Sequence, residues 1–116
     1  GYISAVDGEF QRFVWGNSTT SSYEFYEQVD NCISLNLYFE PTFNYGAWVD
    51  DWKLLYKDGS GQWHEYKDFT LNTRSYEHTF SFSPSIDIQA IAVIPRIPGN
   101  YSYSFSLGVW DVHYTD

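Results

Sequence analysis

The dominant pattern along the chain is an alternation of apolar and polar residues with a period of two, which is typical of β-strands. Gly, Pro, Asn and Asp interrupt the alternation at short intervals, and no segment keeps a 3.6-residue period for three turns. The pattern predicts strands near 9–15, 23–28, 32–39, 52–58, 62–66, 75–83, 86–95 and 101–114, with a candidate ninth strand at 2–6. So many short strands in a small chain predict an all-β fold, which we expect to be a two-sheet antiparallel β-sandwich of the jelly-roll type.

The turn residues locate the connections between these strands. The clearest hairpin joins 52–57 to 62–66 through Asp58-Gly59-Ser60-Gly61, because Asp-Gly followed by a second Gly supplies the positive φ angles of a tight reversal. The polar run Asn17–Ser22 is predicted to be a loop, and Pro84 is predicted to end one strand before Ile86 begins the next.

The alternation also predicts which faces are buried. Two sets are assigned to the core, namely Ile33, Leu35, Leu37 and Phe39, and then Tyr76, His78, Phe80 and Phe82. The face opposite the first set carries Ser34, Asn36 and Tyr38. The burial of the segment Ile86–Ile94 is left open. It is predicted to be either a central strand that is buried on both faces, or a strand whose alanines lie beneath a bulky neighbour.

Composition adds information about the surface. The chain has 116 residues, enough for one domain spanning 1–116, and because it begins at Gly1 we expect it to be excised from a larger multidomain protein. Aromatic residues make up 22% of it, which favours a binding surface because Tyr and Trp combine a large apolar body with a polar edge. A net charge of −9 argues against nucleic acid and anionic membranes as partners and favours a neutral ligand.

The stretch Tyr45–Trp52 places two tryptophans and a tyrosine beside two carboxylates. Flat apolar plates with polar groups at their edges are what the C–H faces and hydroxyl edges of a sugar require. The predicted carbohydrate-binding residues are the plates Trp48, Trp52, Trp110, Tyr45 and Tyr38, with Asn36, Gln89, Asp50 and Asp51 as edge partners. For Trp52 an alternative stays open, because it also begins a core-like alternation with Leu54 and Tyr56.

Other chemistries receive little support from the residues. Asp50 and Asp51 are adjacent and point to opposite faces of a strand, so they cannot flank a glycosidic bond, and we predict that the domain is not an enzyme. No metal or cofactor is predicted. Structural calcium is the one candidate considered, but the acidic residues that could bind it, Asp7, Glu9, Asp111 and Asp116, lack the spacing of a calcium loop. The single Cys32 is predicted to be a small buried hydrophobe.

The second half of the chain resembles the jelly-roll carbohydrate-binding modules attached to plant-cell-wall hydrolases of rumen-type bacteria. The resemblance covers roughly 50–114 and rests on Tyr76 and on the segments Trp52–Tyr56, Gly61–Trp63, Phe69–Leu71, Phe82–Pro84, Ile86–Pro95 and Leu107–Tyr114. It implies a non-catalytic module whose exposed tryptophans stack on pyranose rings, with Trp48, Trp52 and Trp110 as the candidates, of which only Trp110 lies in a well-matched segment. Many relatives hold a structural calcium, for which no ligand set is readable here.

The resulting prediction is a secreted, monomeric module that binds β-1,4-linked or mixed-linkage β-glucan, or xyloglucan, and keeps a covalently tethered hydrolase on its polysaccharide. The alternative is a protein–protein interaction module of an extracellular assembly, whose exposed aromatic residues form a hot-spot patch. A small hydrolase is the third hypothesis.

Overall fold

The computed structural model describes residues 1–5, 8–15, 18–39, 50–71, 77–96 and 107–116, and every regular element within them is a β-strand. The strands are β1 (Tyr2–Ala5), β2 (Gly8–Trp15), β3 (Ser18–Phe39), β4 (Asp51–Lys57), β5 (Trp63–Thr70), β6 (Glu77–Pro95) and β7 (Leu107–Tyr114). The described residues contain no helix that is long and apolar enough to cross a bilayer.

All strand pairs are antiparallel and follow the order β1-β7-β3-β6-β4-β5, with β2 also paired to β3. The long strands β3 and β6, of 22 and 19 residues, run through both halves of the structure. The second half of β3 lies between β7 and the start of β6, whereas its first half pairs with β2 and the end of β6. Register shifts between Glu24 and Ser34 mark the point where β3 passes from one half to the other.

One hydrophobic cluster joins the two halves. Leu35, Leu37, Val109 and Val112 come from the half that contains β7, and Trp52, Leu54, Ile91 and Val93 come from the half that contains β4. The two halves therefore pack as the layers of a β-sandwich, as the alternation predicts, and β3 and β6 connect the layers covalently. All-β antiparallel architecture is confirmed.

Some predicted strand ends are wrong. The predicted strands 23–28 and 32–39 are both part of β3, which begins at Ser18, so most of the predicted loop Asn17–Ser22 is strand. Pro84 lies inside β6 and does not end it. The register of β6 against β3 passes from Ser81 to Ile86 without a pair at Pro84, so the N–H that proline lacks is not needed there.

The burial pattern follows the predicted faces except at the bulge. Leu35 and Leu37 are fully buried, but Ile33 is 38% exposed because the register shift between Cys32 and Ser34 moves it out of the alternation. Phe80 and Phe82 are buried, whereas Tyr76 and the side chain of Phe39 lie outside the described part. The run from Ala90 to Ile94 is buried throughout, so the central-strand alternative for this segment is the one observed.

The predicted hairpin is confirmed as β4 and β5. Its turn is organised by Asp58, whose carboxylate accepts hydrogen bonds from the backbone N–H groups of Ser60 and Gln62 at 2.8 and 3.0 Å and from the Ser60 hydroxyl at 2.6 Å. His64 also contacts this carboxylate. Gly61 has φ +86°, which is the left-handed conformation that its position predicts.

Candidate functional site

Four strands of one layer, β1, β7, β3 and β6, present an outer face that carries aromatic and polar side chains. We call it the open face and define it by Tyr2, Asn36, Tyr38, Thr79, Trp110 and Asp111. Asn36 of β3 lies opposite Trp110 on one side and opposite Thr79 on the other. Tyr38 lies opposite Gly108, whose missing side chain leaves space next to the tyrosine.

A β-bulge in β7 shapes the centre of this face. Between the pairs Asn36–Trp110 and Ser34–His113, β7 contains one residue more than β3. Asp111 occupies the bulge with φ +50°, a conformation that Asp tolerates better than most residues. The extra residue brings the Asp111 side chain to the same face as Trp110, while Val112 returns to the core with no exposed surface.

A row of hydrogen bonds crosses the open face from β6 to β1. The Thr79 hydroxyl donates to Asn36 Oδ1 at 2.6 Å, and Asn36 Nδ2 donates to Asp111 Oδ2 at 3.1 Å. The Tyr2 hydroxyl donates to the other carboxylate oxygen of Asp111. This bond, together with partial desolvation and the negative charge of Asp111, raises the pKa of Tyr2 above its usual value.

The same groups keep capacity to bind a hydroxylated ligand. The carboxylate of Asp111 can accept more than the two bonds described, and the Asn36 amide has a second N–H to donate. The hydroxyl oxygen of Thr79 can still accept a hydrogen bond. Because their neighbours already fix these side chains, a ligand would meet donors and acceptors in set positions.

Aromatic rings lie on both sides of Asp111. The rings of Tyr38 and Trp110 have centroids 6.1 Å apart with planes tilted by 42°, and those of Tyr2 and His113 are 4.8 Å apart with a tilt of 46°. Tyr2 is 53% exposed, and Trp110 is partly exposed. Trp110 and His113 lie opposite Asn36 and Ser34, which are two positions apart on β3, so the two ring pairs are separated by roughly 7 Å along the strand direction. Thus the open face combines two apolar plates with polar groups between them.

Of the sequence-predicted site residues, the structure brings together Trp110, Tyr38 and Asn36. Trp48 and Tyr45 lie outside the described residues. The prediction that Trp52 is part of the sugar platform is wrong, because its side chain has 0% exposure and belongs to the core cluster. It pairs with Phe69 on one side and Pro95 on the other, and an indole without exposed surface cannot stack on a ligand. The core alternative for Trp52 is therefore the one observed.

Gln89 and Asp51 lie away from the open face. Gln89 is ten positions farther along β6 than Thr79, and its amide donates to the backbone carbonyl of Gly59 at 3.0 Å. Asp51 is exposed at the start of β4, where it accepts a hydrogen bond from the Thr70 hydroxyl at 2.8 Å. Neither side chain contributes to the row around Asp111.

Sequence reasoning missed Tyr2, Thr79 and Asp111 as members of this face. Strict alternation places Trp110 and Asp111 on opposite faces, and only the bulge brings them together. Tyr2 joins because β1 pairs with β7, a contact between the two ends of the chain that periodicity does not encode. Thr79 does follow from alternation, since it is polar and lies between the core residues His78 and Phe80.

The described residues contain no group of three or more His, Cys, Asp or Glu side chains that could hold a metal ion. Of the acidic residues considered for calcium, Asp111 is bonded to Asn36 and Tyr2, and Asp7 and the Glu9 side chain lie outside the described part.

No protein-family model matches the chain, and no curated protein matches it. Several solved structures, however, share the fold of this chain. CBM86, a low-affinity xylan-binding module from the gut symbiont Roseburia intestinalis, superposes with a TM-score of 0.60 at 10% identity over 97% of this chain and 89% of that one. A variant of CBM29-2, from family 29 of carbohydrate-binding modules, superposes with a TM-score of 0.58 at 10% sequence identity, over 99% of this chain and 91% of that one. A family 32 module from C. perfringens NanJ, in complex with galactose, superposes with a TM-score of 0.57 at 13% sequence identity, over 95% of this chain and 82% of that one. At these identities the likeness shows a shared fold.

Proposed function

We propose that this domain is a non-catalytic carbohydrate-binding module and that the open face binds a glycan chain. The observation that carries the proposal is the row from Thr79 to Tyr2, which lies between the Tyr38–Trp110 and Tyr2–His113 ring pairs. The β-sandwich shared with solved carbohydrate-binding modules supports it.

The chemistry of a sugar ring fits this arrangement. Each pyranose has an apolar C–H face that can cover the partly exposed indole of Trp110, and hydroxyl groups at its edge that can bond to Asn36 and Asp111. Since the hydrogen-bond row holds these polar side chains in place, binding loses little of their conformational entropy. Affinity then depends mainly on stacking and on the few oriented hydrogen bonds.

Charge narrows the ligand class. The chain carries a net charge of −9 and the centre of the open face carries the Asp111 carboxylate, so glycans with uronic or sialic acid groups are repelled. We propose a neutral β-1,4-linked or mixed-linkage glucan, with xyloglucan as a second candidate on the same backbone. Support for a glucan comes from the resemblance of 52–56 and 107–114 to plant-cell-wall-binding modules.

In this proposal the module belongs to a secreted glycoside hydrolase and acts as a monomer. Tethering would raise the effective concentration of the catalytic domain on its polymer, which compensates for the modest affinity of one short face. The domain itself contributes binding and no bond cleavage. Incubation with glucan should accordingly release no reducing ends.

Affinity electrophoresis against soluble polysaccharides tests the proposal. The panel contains hydroxyethylcellulose, barley β-glucan, xyloglucan, galactomannan and xylan, together with polygalacturonate as the acidic control. We expect retardation by the glucans and none by polygalacturonate. Trp110→Ala should strongly weaken retardation by the glucans, whereas Trp63→Phe, a change to a tryptophan packed against the separate cluster of Leu55, Ala92 and Ile94, should leave it intact.

Two results would overturn the assignment. Retardation by the glucans that is unchanged in folded Trp110→Ala protein would remove the open face from binding. Absence of retardation by every member of the panel, combined with capture of a protein partner in the absence of sugar, would favour the interaction-module alternative. Trp48→Ala and Tyr45→Ala belong in the same series, since both residues stay predicted members of the platform.

A further inference from the structure

A second polar depression lies at the opposite half of the molecule, between the β4–β5 turn and the bends of β3 and β6. We call it the hairpin groove. Two adjoining cavities of about 550 and 260 Å³ form it, and Gln28 lines both. Its principal lining residues are Tyr26, Gln28, Tyr56, Gly59, Asp87 and Gln89. None of them belongs to the open face.

Two carboxamides form the floor between the cavities. Gln89 Nε2 donates to the carbonyl of Gly59 at 3.0 Å and to Gln28 Oε1 at 3.2 Å. Gln28 Nε2 in turn donates to Asp30 Oδ1 at 2.6 Å. These bonds use both N–H groups of Gln89 but leave its carbonyl oxygen available, together with one N–H of Gln28. The floor therefore offers an acceptor and a donor, both on side chains that are already oriented.

An exposed ring stands at the edge of the same groove. Tyr26 is 69% exposed, the highest value among the large hydrophobic side chains of the described residues. It lies two positions from Gln28 on β3, and both residues line the smaller cavity. Isolated exposed tyrosines are common, but here the ring adjoins a polar cavity with oriented amides. A flat apolar plate beside amide groups has the chemistry that a sugar ring needs.

The far wall is rigid. The carboxylate of Asp58 fixes the turn through hydrogen bonds from Ser60 and Gln62, and Tyr56 stacks on His64 with ring centroids 5.0 Å apart and planes tilted by 22°. Hence the groove does not need to order a loop when a ligand enters it, and less conformational entropy is lost on binding.

The two surfaces share no residue and lie in different layers of the sandwich. Tyr26 and Asn36 are ten positions apart on β3, and the bend of β3 with its register shifts lies between them. The hairpin groove is therefore a candidate for a binding site separate from the open face.

We propose that the hairpin groove is a second, independent binding site for a neutral oligosaccharide, with Tyr26 as the stacking residue and Gln28 and Gln89 as hydroxyl-binding residues. The carboxylates around it, including Asp87 and Asp58, disfavour acidic glycans, and Lys57, a cation that also lines the groove, is paired with Glu24 at 3.4 Å. With both sites occupied the module would engage one long polysaccharide twice or bridge two chains. Retention on a polymer would then exceed binding of a short oligosaccharide.

Titration of ¹⁵N-labelled protein with defined oligosaccharides tests the second site directly. The probes are hexasaccharides of cellulose, mixed-linkage glucan, xylan and mannan, added one at a time, and the readout is the side-chain amide resonances of Gln28 and Gln89. We expect at least one probe to shift these resonances in the wild type and equally in Trp110→Ala. Tyr26→Ala should weaken this response about tenfold, and Tyr26→Phe should preserve it because the ring remains.

A second variant narrows the groove without removing any polar group, because the Gln28 amide must move by a few tenths of an ångström to admit the added methyl group. A Cβ at position 59 would lie 3.0 Å from Gln28 Nε2, so Gly59→Ala crowds the amide floor. Gly108→Ala is its matched control, because a Cβ there meets Tyr38 Cβ at an ordinary 3.9 Å. Loss of the Gln28 and Gln89 shifts in Gly59→Ala, with retention in Gly108→Ala, would support the proposal.

The outcomes separate this proposal from the function proposed for the open face. No shift of the Gln28 and Gln89 amides with any probe would overturn the second site, as would shifts that Tyr26→Ala leaves unchanged. If Trp110→Ala keeps all glycan binding while Tyr26→Ala loses it, the hairpin groove is supported as the sugar site and the open-face proposal fails. If Trp110→Ala abolishes shifts at both places, the groove is not independent and the second-site proposal fails.

Discussion

Trp52 and Trp110 are both candidates for a sugar platform in the sequence, and the structure predicts different consequences for their removal. Trp52 has no exposed surface and packs in the core between both layers. Trp110 is partly exposed and contacts Tyr38 on the open face. We expect Trp52→Ala to affect stability, and Trp110→Ala to affect glycan binding.

The magnitudes follow from burial. Replacement of a fully buried tryptophan by alanine costs about 3–5 kcal/mol through lost transfer energy and the cavity left behind. A domain of this size has a total unfolding free energy of roughly 6–17 kcal/mol, so Trp52→Ala removes a large share of it. With an unfolding entropy of about 0.24 kcal/mol/K, the melting temperature should fall by about 12–20 °C. For Trp110→Ala the lost ring contact with Tyr38 accounts for about 0.5–1.5 kcal/mol, which lowers the melting temperature by about 2–6 °C, and the loss of the partly buried indole surface adds to this.

Differential scanning calorimetry and urea unfolding measure the stability effect, and affinity electrophoresis of the same preparations measures binding. Trp52→Phe serves as a control because it retains most of the buried volume and should recover part of the loss. Equal losses of stability in the two alanine variants would refute the assignment of Trp52 to the core and Trp110 to the surface. So would a Trp52→Ala protein that melts within a few degrees of the wild type.

Three further predictions concern single positions. Asp111→Gly should be more stable than Asp111→Ala by about 1 kcal/mol, because glycine adopts the positive φ of the bulge without strain; equal urea midpoints would contradict this. Hydrogen bonds from Ser60, His64 and Gln62 hold the pKa of Asp58 below its usual value. The ionised Asp58 carboxylate therefore stabilises the folded state above about pH 4, and this stabilisation is lost as the pH falls further and the carboxylate is protonated. The gap in urea midpoint between wild type and Asp58→Asn should therefore shrink below about pH 4, and a constant gap would refute the role of the charge. Burial raises the pKa of Cys32 to about 11, so a thiol reagent at pH 8 should react only in urea, and rapid reaction of the folded protein would show that the thiol is accessible.

Local periodicity was sufficient to predict the fold class and much of the core. The alternation in 32–39 correctly separated Leu35 and Leu37 from Asn36 and Tyr38, because each side chain of a regular strand points to the face opposite its neighbour's. The turn Asp58–Gly61 was also predictable, since few residues other than glycine adopt the positive φ that it needs. The continuity of β3 and β6 was not predictable, because a strand that bends through a bulge and a pair of strands separated by a turn have the same local pattern.

The sequence by itself determined an aromatic-rich, acidic, all-β chain, and it placed Trp110, Tyr38 and Asn36 among the residues of a proposed sugar platform. Only the tertiary structure decided that Trp52 is core, that Gln89 belongs to the hairpin groove, and that Asp111 joins the open face. Alternation fixes which side of its own strand a residue occupies, but strand pairing, bulges and the packing of the two layers decide whether that side meets solvent. Those are long-range contacts, such as the pairing of β1 with β7 across the whole chain, and no local pattern encodes them.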